Sequence, residues 1–260
     1  MLVDSHCHLG QIKLTDTMNL DDVLHLARGK GIKGFLSVAT DIENAETNYK
    51  EQKHHPDVWY SAGIHPLHTK IESDWKTQLA GLVELDQFVA VGETGLDFYY
   101  DQASLSQQKQ LELFDFHCYL SEQHKKPLIV HTREAKQETV NILKQYNLDQ
   151  APGVIHCFTE DWPAAKAFLD LGFYLSFSGI ISFKNSQDLR DVLKKVPLER
   201  VLVETDSPYL TPMPFRGRSN EPQYVVQVAQ AMADVYEIPL EKIAQVTTKN
   251  FQQVFKIQLN

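Results

Sequence analysis

Eight short apolar segments alternate with amphipathic stretches along the whole 260-residue chain. Each segment is rich in Val, Ile, Leu or Phe and is bounded by Gly, Pro or polar residues, which predicts a buried strand. Near-continuous apolar strands suit a parallel sheet that is covered by helices. The predicted strands are Leu2–His8, Gly34–Ala39, Trp59–Ile64, Phe88–Glu93, Leu128–His131, Gly153–His156, Phe173–Phe177 and Val201–Asp206.

Helical periodicity fills the intervals between these strands. In the first interval, Leu20, Val23 and Ala27 recur at helical spacing, and the weakest pattern is Ile42–Gln52. The other predicted helices are Leu20–Arg28, Trp75–Leu85, Ser104–His124, Glu134–Tyr146, Trp162–Asp170, Gln187–Lys195, Gln223–Tyr236 and Leu240–Val254.

Eight strand–helix units in a chain of this length predict an α/β protein with a (β/α)8 TIM barrel and an additional C-terminal helix. No linker or low-complexity segment interrupts the units, so we expect one domain over residues 1–260. The competing architecture is an open doubly wound sheet, which favours a glycine-rich phosphate turn after the first strand. The sequence has His6-Cys7-His8 there instead.

Composition excludes several classes of protein. No apolar run approaches the ~18 residues of a membrane span, and the first residues lack the basic region of a signal peptide. The three cysteines, Cys7, Cys118 and Cys157, do not form a disulfide framework, so we expect reduced thiols and a cytoplasmic location. The net charge of −9 argues against a broad nucleic-acid-binding surface. Any attraction to nucleic acid must therefore be local or come from bound metal.

Imidazole and carboxylate side chains end five of the predicted strands. In a barrel these ends converge on one mouth, where active sites form. Side chains alternate between faces along a strand, so His6 and His8 share a face and Cys7 points to the other. A single histidine at a strand end is most often a hydrogen-bonded rim residue, but six such groups together predict a metal site. They are His6, His8, Glu93, His131, His156 and Asp206.

The predicted ligands are nitrogen and oxygen donors without a thiolate. Such donors suit Zn, Mn, Ni, Fe or Co, and Mg when water completes the shell. Six ligands exceed the three of a single catalytic zinc, so two divalent ions that share a carboxylate fit better. By alternation, Val89 and Val91 should share the inward face with Glu93. Glu204 should share a face with Asp206, where it either steadies a ligand or forms a buried ion pair.

Three further residues are candidates for binding substrate. His65 ends the third strand and is either a substrate contact or a rim residue. Arg133 follows His131 by two residues and either reaches a phosphate above the metals or forms a salt bridge. Arg216 belongs, with Arg218, to a proline-rich loop that follows the last strand and should begin at the mouth. The aromatic residues at 98–100 either stack on bases or cap the core.

The chain resembles the TatD family of metal-dependent hydrolases, within the amidohydrolase-like barrels. The matching stretches run from end to end: DSHCHL (4–9), GIHP (63–66), GETGLDFYY (92–100), KPLIVHTREA (126–135), GVIHCFTED (153–161), GFYLSFSGIISF (172–183), VETDSPYL (203–210) and RGRSNEP (216–222). The resemblance implies a TIM barrel with a dinuclear site and 3′ exonuclease action. It implies that His6, His8 and Asp206 bind one ion, that His131 and His156 bind the other, and that Glu93 bridges them.

Two functions remain open at this point. One is a phosphodiesterase of the DNase type that acts on single-stranded ends, as the resemblance implies, and the other is an amide or ester hydrolase on a small molecule. The arginines favour an anionic substrate. In either reaction Asp206 is the best candidate to orient water and shuttle its proton. A non-enzymatic scaffold is disfavoured by the intact ligand set, and no obligate protein partner is evident.

Overall fold

The computed structural model of the protein describes residues 1–15, 17–68, 71–100 and 103–259, without the side chains of 104 and 105. Eight parallel strands follow one another around a single sheet in chain order. The first and last strands meet where the amide of Asp206 donates to the His6 carbonyl at 2.9 Å and that of His8 to the Ser207 carbonyl at 2.8 Å. The predicted (β/α)8 barrel is therefore confirmed. The strands are β1 Leu2–Cys7, β2 Ile32–Ser37, β3 Val58–Ala62, β4 Phe88–Asp97, β5 Leu128–Arg133, β6 Val154–Ile155, β7 Tyr174–Phe177 and β8 Val201–Val203.

Helices surround the barrel and bury their apolar faces against the outer side of the sheet. The weakest predicted helix forms as expected, because Asp41 accepts the Asn44 amide at 2.7 Å and caps its first turn. The helices are α1 Leu20–Gly29, α2 Ile42–Gln52, α3 Trp75–Glu84, α4 Ser104–His124, α5 Lys136–Leu143, α6 Trp162–Asp170, α7 Gln187–Leu193, α8 Val225–Tyr236 and α9 Leu240–Phe255. None of those in the described ranges is long and apolar enough to cross a membrane.

The predicted additional C-terminal helix is α9. Its residues Phe251, Val254 and Phe255 form a separate buried cluster with inward-facing strand residues such as Val3 and Leu36. The helix thus packs against one end of the barrel interior and leaves the other end, where the strands finish, for polar side chains.

The side chains of β4 do not alternate strictly between the two faces of the sheet, so the expectation that Val91 shares the inward face with Glu93 is wrong. The register shifts where β4 pairs with β3, and again where it pairs with β5, between Val91 and Thr94. Ala90 packs inside with the α9 cluster, whereas Val91 belongs to the helix-facing core. Glu93 nevertheless faces the mouth of the barrel, because the irregular backbone between Val91 and Thr94 changes the phase of the strand.

Candidate metal centre

The carboxylate of Glu93 lies at the centre of a cluster of imidazoles. Its Oε2 is 3.5 Å from His6 Nε2 and 3.6 Å from His8 Nε2. Its Oε1 is 2.8 Å from His156 Nε2 and 3.4 Å from His131 Nδ1. Each carboxylate oxygen thus faces its own pair of histidines. The five side chains lie at or near the carboxyl ends of four strands, β1, β4, β5 and β6, as the sequence predicted.

Asp206 closes the cluster on the side of β1. Its Oδ1 lies 3.3 Å from His8 Nε2 and 3.6 Å from His6 Nε2. Its backbone is in the left-handed region, with φ of 56°. The chain on both sides of it is held by buried Asn220, whose amide donates to the carbonyls of Thr205 at 2.8 Å and Tyr209 at 2.5 Å. The structure therefore brings together all six predicted ligands.

Groups behind the histidines determine which ring nitrogen faces the centre. The Nδ1 of His8 lies 3.0 Å from the Val38 carbonyl, and the Nδ1 of His156 lies 3.4 Å from Glu204 Oε1. Both rings therefore turn Nε2 toward Glu93. Glu204 itself is fully buried and accepts the Cys157 amide at 2.8 Å, so it steadies a predicted ligand.

The close approach of β4 to β5 requires glycine. Gly95 pairs with His131 and has φ of 134°. A Cβ at Gly95 would collide with the carbonyl oxygen of His131. The glycine allows the two strands to lie side by side where they carry Glu93 and His131.

Glu93 is a charged group in this environment. Burial alone would raise its pKa, but the charge of His156 and the nearby imidazoles of His65 and His131 lower the pKa well below its usual range. A buried carboxylate of this kind needs positive partners. The imidazoles neutralise part of the negative charge of Glu93, and a bound metal ion would neutralise it more completely.

The donor set fits a divalent metal. His156 Nε2 is buried 2.8 Å from Glu93 Oε1, but the pair lacks the geometry of a hydrogen bond, so a metal ion between the two atoms would satisfy the nitrogen better. Ligand atoms of His6, His156 and Asp206, and those of His6, His8 and Glu93, lie within 4.8 Å of one another. The combination of imidazole nitrogens and carboxylate oxygens is that of Zn, Mn or related sites.

His65 joins the cluster as a hydrogen-bond donor. Its Nδ1 accepts the Leu67 amide at 3.2 Å, so in the neutral ring Nε2 carries the proton. That Nε2 lies 3.4 Å from Glu93 Oε1. Burial lowers the pKa of His65, which favours the neutral ring. His65 therefore presents its Nε2–H to the centre. Its Nδ1 lone pair is not available to a metal, because it accepts the Leu67 amide.

A cavity of about 780 Å³ opens above the six residues. Arg133 lines it, with its guanidinium 3.9 Å from the ring centre of Tyr99 and 4.7 Å from that of Tyr100. Tyr209, from the loop after β8, lines the opposite side. Arg216 lies elsewhere, with its guanidinium 4.3 Å from the ring centre of Phe183, and is not among the lining residues.

Three residues that support the centre were not identified from the sequence as supports. Asp97 contacts His131, Asn220 holds the chain on both sides of Asp206, and His117 accepts the amide of Ile64 at 2.9 Å next to His65. Each makes its contact with a segment that is distant along the chain. In the sequence, the only indication of these roles was that a polar residue stands at each position.

A second histidine cluster lies between the first turn of α1 and the segment that follows α2. Asp21 Oδ1 is 2.9 Å from His55 Nε2 and 3.3 Å from His54 Nε2. The Arg28 guanidinium, which is donor-only, lies 3.3 Å from His55 Nδ1. The proton of neutral His55 is therefore on Nε2, facing Asp21, and His54 Nε2 is hydrogen-bonded to the same carboxylate oxygen.

Both the sequence and the fold of this protein match known proteins. A sequence model of the family described as TatD related DNase matches residues 3–256. The chain belongs to the TatD family. A TatD relative from Escherichia coli (strain K12), named an uncharacterized metal-dependent hydrolase, YcfH, is 43% identical over 257 residues, covering 98% of this chain and 96% of the relative. One from Bacillus subtilis (strain 168), YabD, carries the same description and is 34% identical over 261 residues, covering 99% and 100%.

A solved structure agrees with the sequence relatives. The crystal structure of YJJV, a TatD homolog from Escherichia coli K12, matches with a TM-score of 0.90 and 27% identity, covering 99% of this chain and 98% of that chain. Together with the clustered ligands, the relatives show that this TatD protein is a metal-dependent hydrolase.

Proposed function

We propose that this TatD protein is a phosphodiesterase that hydrolyses nucleic-acid ends, with 3′ exonuclease action on single-stranded DNA as its specific reaction. The observation that carries the proposal is the position of Arg133. Its guanidinium is held over Tyr99 and Tyr100 at the rim of the cavity that contains Glu93. Among the residues that the structure describes, it has no ion-pair partner. A guanidinium in this position can donate its N–H groups to a phosphate oxygen that enters the cavity.

The metal centre is proposed to hold two divalent ions, such as Zn, Mn or Mg. The support is the division of the Glu93 oxygens, of which Oε2 faces His6 and His8 while Oε1 faces His131 and His156. A carboxylate placed between two imidazole pairs is suited to bridge two ions.

The residues of the chain then have separate roles in hydrolysis. Divalent ions at such a centre lower the pKa of water and polarise the bond that is cleaved. Burial alone would raise the pKa of Asp206, but the hydrogen bond from His8 and the charge of His6 lower it, so Asp206 is a carboxylate that can orient water and accept its proton. The Nε2–H of His65 can donate to a phosphoryl oxygen, and Arg133 can pair with the phosphate.

The overall charge of −9 is consistent with an end-specific reaction. Binding along a duplex requires many cationic contacts to phosphates. Here the proposed phosphate contacts lie in one cavity of about 780 Å³. A single-stranded end that enters such a cavity needs fewer cationic contacts than a bound duplex.

The test compares two arginines that both lie over aromatic rings. We expect Arg133→Ala to lower kcat/KM on single-stranded DNA by roughly 10- to 150-fold, as for loss of a charge-assisted hydrogen bond. It should leave metal content and cleavage of a neutral ester unchanged. Arg216→Ala, outside the cavity lining, is the matched control and should have a smaller effect.

A different result would redirect the assignment. If Arg133→Ala matches the parent on single-stranded DNA and RNA, and the neutral ester is the better substrate, the protein is an ester or amide hydrolase and the nucleic-acid proposal is wrong. If Arg216→Ala has the larger effect, the phosphate lies against the loop after β8 instead.

A further inference from the structure

A buried carboxylate connects a predicted metal ligand with the loop under Arg133. Asp97 is the last residue of β4 and is 1% exposed. Its Oδ2 lies 3.0 Å from His131 Nε2. Its Oδ1 accepts the backbone amides of Tyr99 at 3.1 Å and Tyr100 at 3.0 Å. A single side chain therefore contacts both the metal centre and the residues that support the guanidinium.

The backbone of Asp97 is held independently of its side chain. Its amide donates to Gln110 Oε1 at 2.8 Å, and Gln110 Nε2 donates to the Asp97 carbonyl at 3.1 Å. Gln110 is fully buried on α4. A substitution at Asp97 can therefore change the carboxylate while the end of β4 keeps these two anchors.

We propose that Asp97 is a positioning residue that fixes the proton of His131 on Nε2 and, with its other oxygen, fixes the turn at Tyr99 and Tyr100. An ionised carboxylate only accepts hydrogen bonds, so Nε2 must carry the proton. The lone pair of Nδ1, 3.4 Å from Glu93 Oε1, is then available to a metal. The inference rests on the proposed role of His131 as a ligand.

The decisive variant is Asp97→Asn, which is close to isosteric. Its amide oxygen can still accept the Tyr99 and Tyr100 amides, but its NH2 group then faces His131 Nε2. An NH2 donor requires an acceptor there, which moves the proton of His131 to Nδ1 and blocks the metal-binding lone pair. We expect zinc bound through His131 to be held roughly 10- to 100-fold more weakly, with the Tm of the metal-free protein unchanged.

The experiment measures zinc binding to the full-length, metal-free protein by equilibrium dialysis, without substrate. It uses the parent, Asp97→Asn, His131→Ala and the double variant. If Asp97 acts through His131, Asp97→Asn weakens zinc binding in the parent and adds nothing to His131→Ala. Unchanged zinc binding in Asp97→Asn, or equal losses in both backgrounds, would overturn the proposal. The number of zinc ions that the parent binds tests the dinuclear proposal separately: fewer than two would refute it. The failure of that proposal is therefore distinguishable from a failure of the proposed role of Asp97.

The second half of the proposal has its own readout. Asp97→Ala removes both acceptors, so the amides of Tyr99 and Tyr100 should exchange hydrogen faster than in the parent. In Asp97→Asn, where the amide oxygen remains, exchange should stay close to that of the parent. Equal exchange in all three proteins would show that the carboxylate does not hold the turn.

Discussion

The stability of the protein should depend on pH through one histidine outside the metal centre. His117 is fully buried on α4, and its Nδ1–H donates to the Leu113 carbonyl at 2.7 Å while Nε2 accepts the Ile64 amide at 2.9 Å. Burial lowers the pKa of His117 from 6.5 to about 4. This difference corresponds to about 3 kcal/mol of stability. Protonation would both bury a charge and remove the acceptor for Ile64.

Acid should destabilise the protein, because the unfolded state binds a proton on His117 more tightly than the folded state does. The folded protein resists protonation of His117, so the stabilisation is fully present above pH 6.5 and is lost as the pH falls toward 4. Between pH 7 and pH 5, His117 should account for a loss of about 2 kcal/mol.

The assay is urea unfolding of the metal-free protein at these two pH values, in the parent and in His117→Gln. Glutamine does not titrate but can still donate and accept hydrogen bonds. The histidines of the metal centre titrate in both proteins, so their contribution cancels in the comparison. The parent's free energy of unfolding should fall by about 2 kcal/mol more than the variant's. Equal losses in the two proteins would refute the argument from burial.

Two further substitutions test the metal centre and its support. Glu93→Gln keeps the shape of the side chain but removes the charge between the imidazole pairs, so bound metal should be lost. The kcat should fall by more than roughly 100-fold, which exceeds the effect of losing a residue that only supports a ligand. Retained metal and activity would contradict a bridging role for Glu93. Asn220→Ala leaves the buried carbonyls of Thr205 and Tyr209 unpaired. It should cost about 1–3 kcal/mol, seen by calorimetry as a lower Tm, and a parent-like Tm would show that the loop after Asp206 is held by other contacts.

The barrel and the six ligand candidates could be predicted from the sequence because both depend on local pattern. Eight apolar segments alternating with amphipathic stretches leave few architectures open. In a parallel barrel the strand ends share one mouth, so residues that end strands, such as His6, Glu93 and His156, must converge. The exact ends of the elements were less well determined, since β6 covers only Val154–Ile155 and His156 lies just beyond it.

Tertiary structure decided the contacts that depend on register and on backbone irregularity. The phase of β4 changes between Val91 and Thr94, which strict alternation does not predict. The sequence placed Arg216 on the loop after the last strand, but the path of that loop sets its guanidinium over Phe183.

The sequence by itself thus determined the barrel and the chemical types of the ligands, because hydrophobic period and strand ends are local properties. Which nitrogen of each histidine faces the centre was decided only in three dimensions. Asp97 and His131 are 34 residues apart, and their contact depends on the pairing of β4 with β5. The donor role of His65 likewise depends on a hydrogen bond from the Leu67 amide, which forms only once the turn has its final geometry.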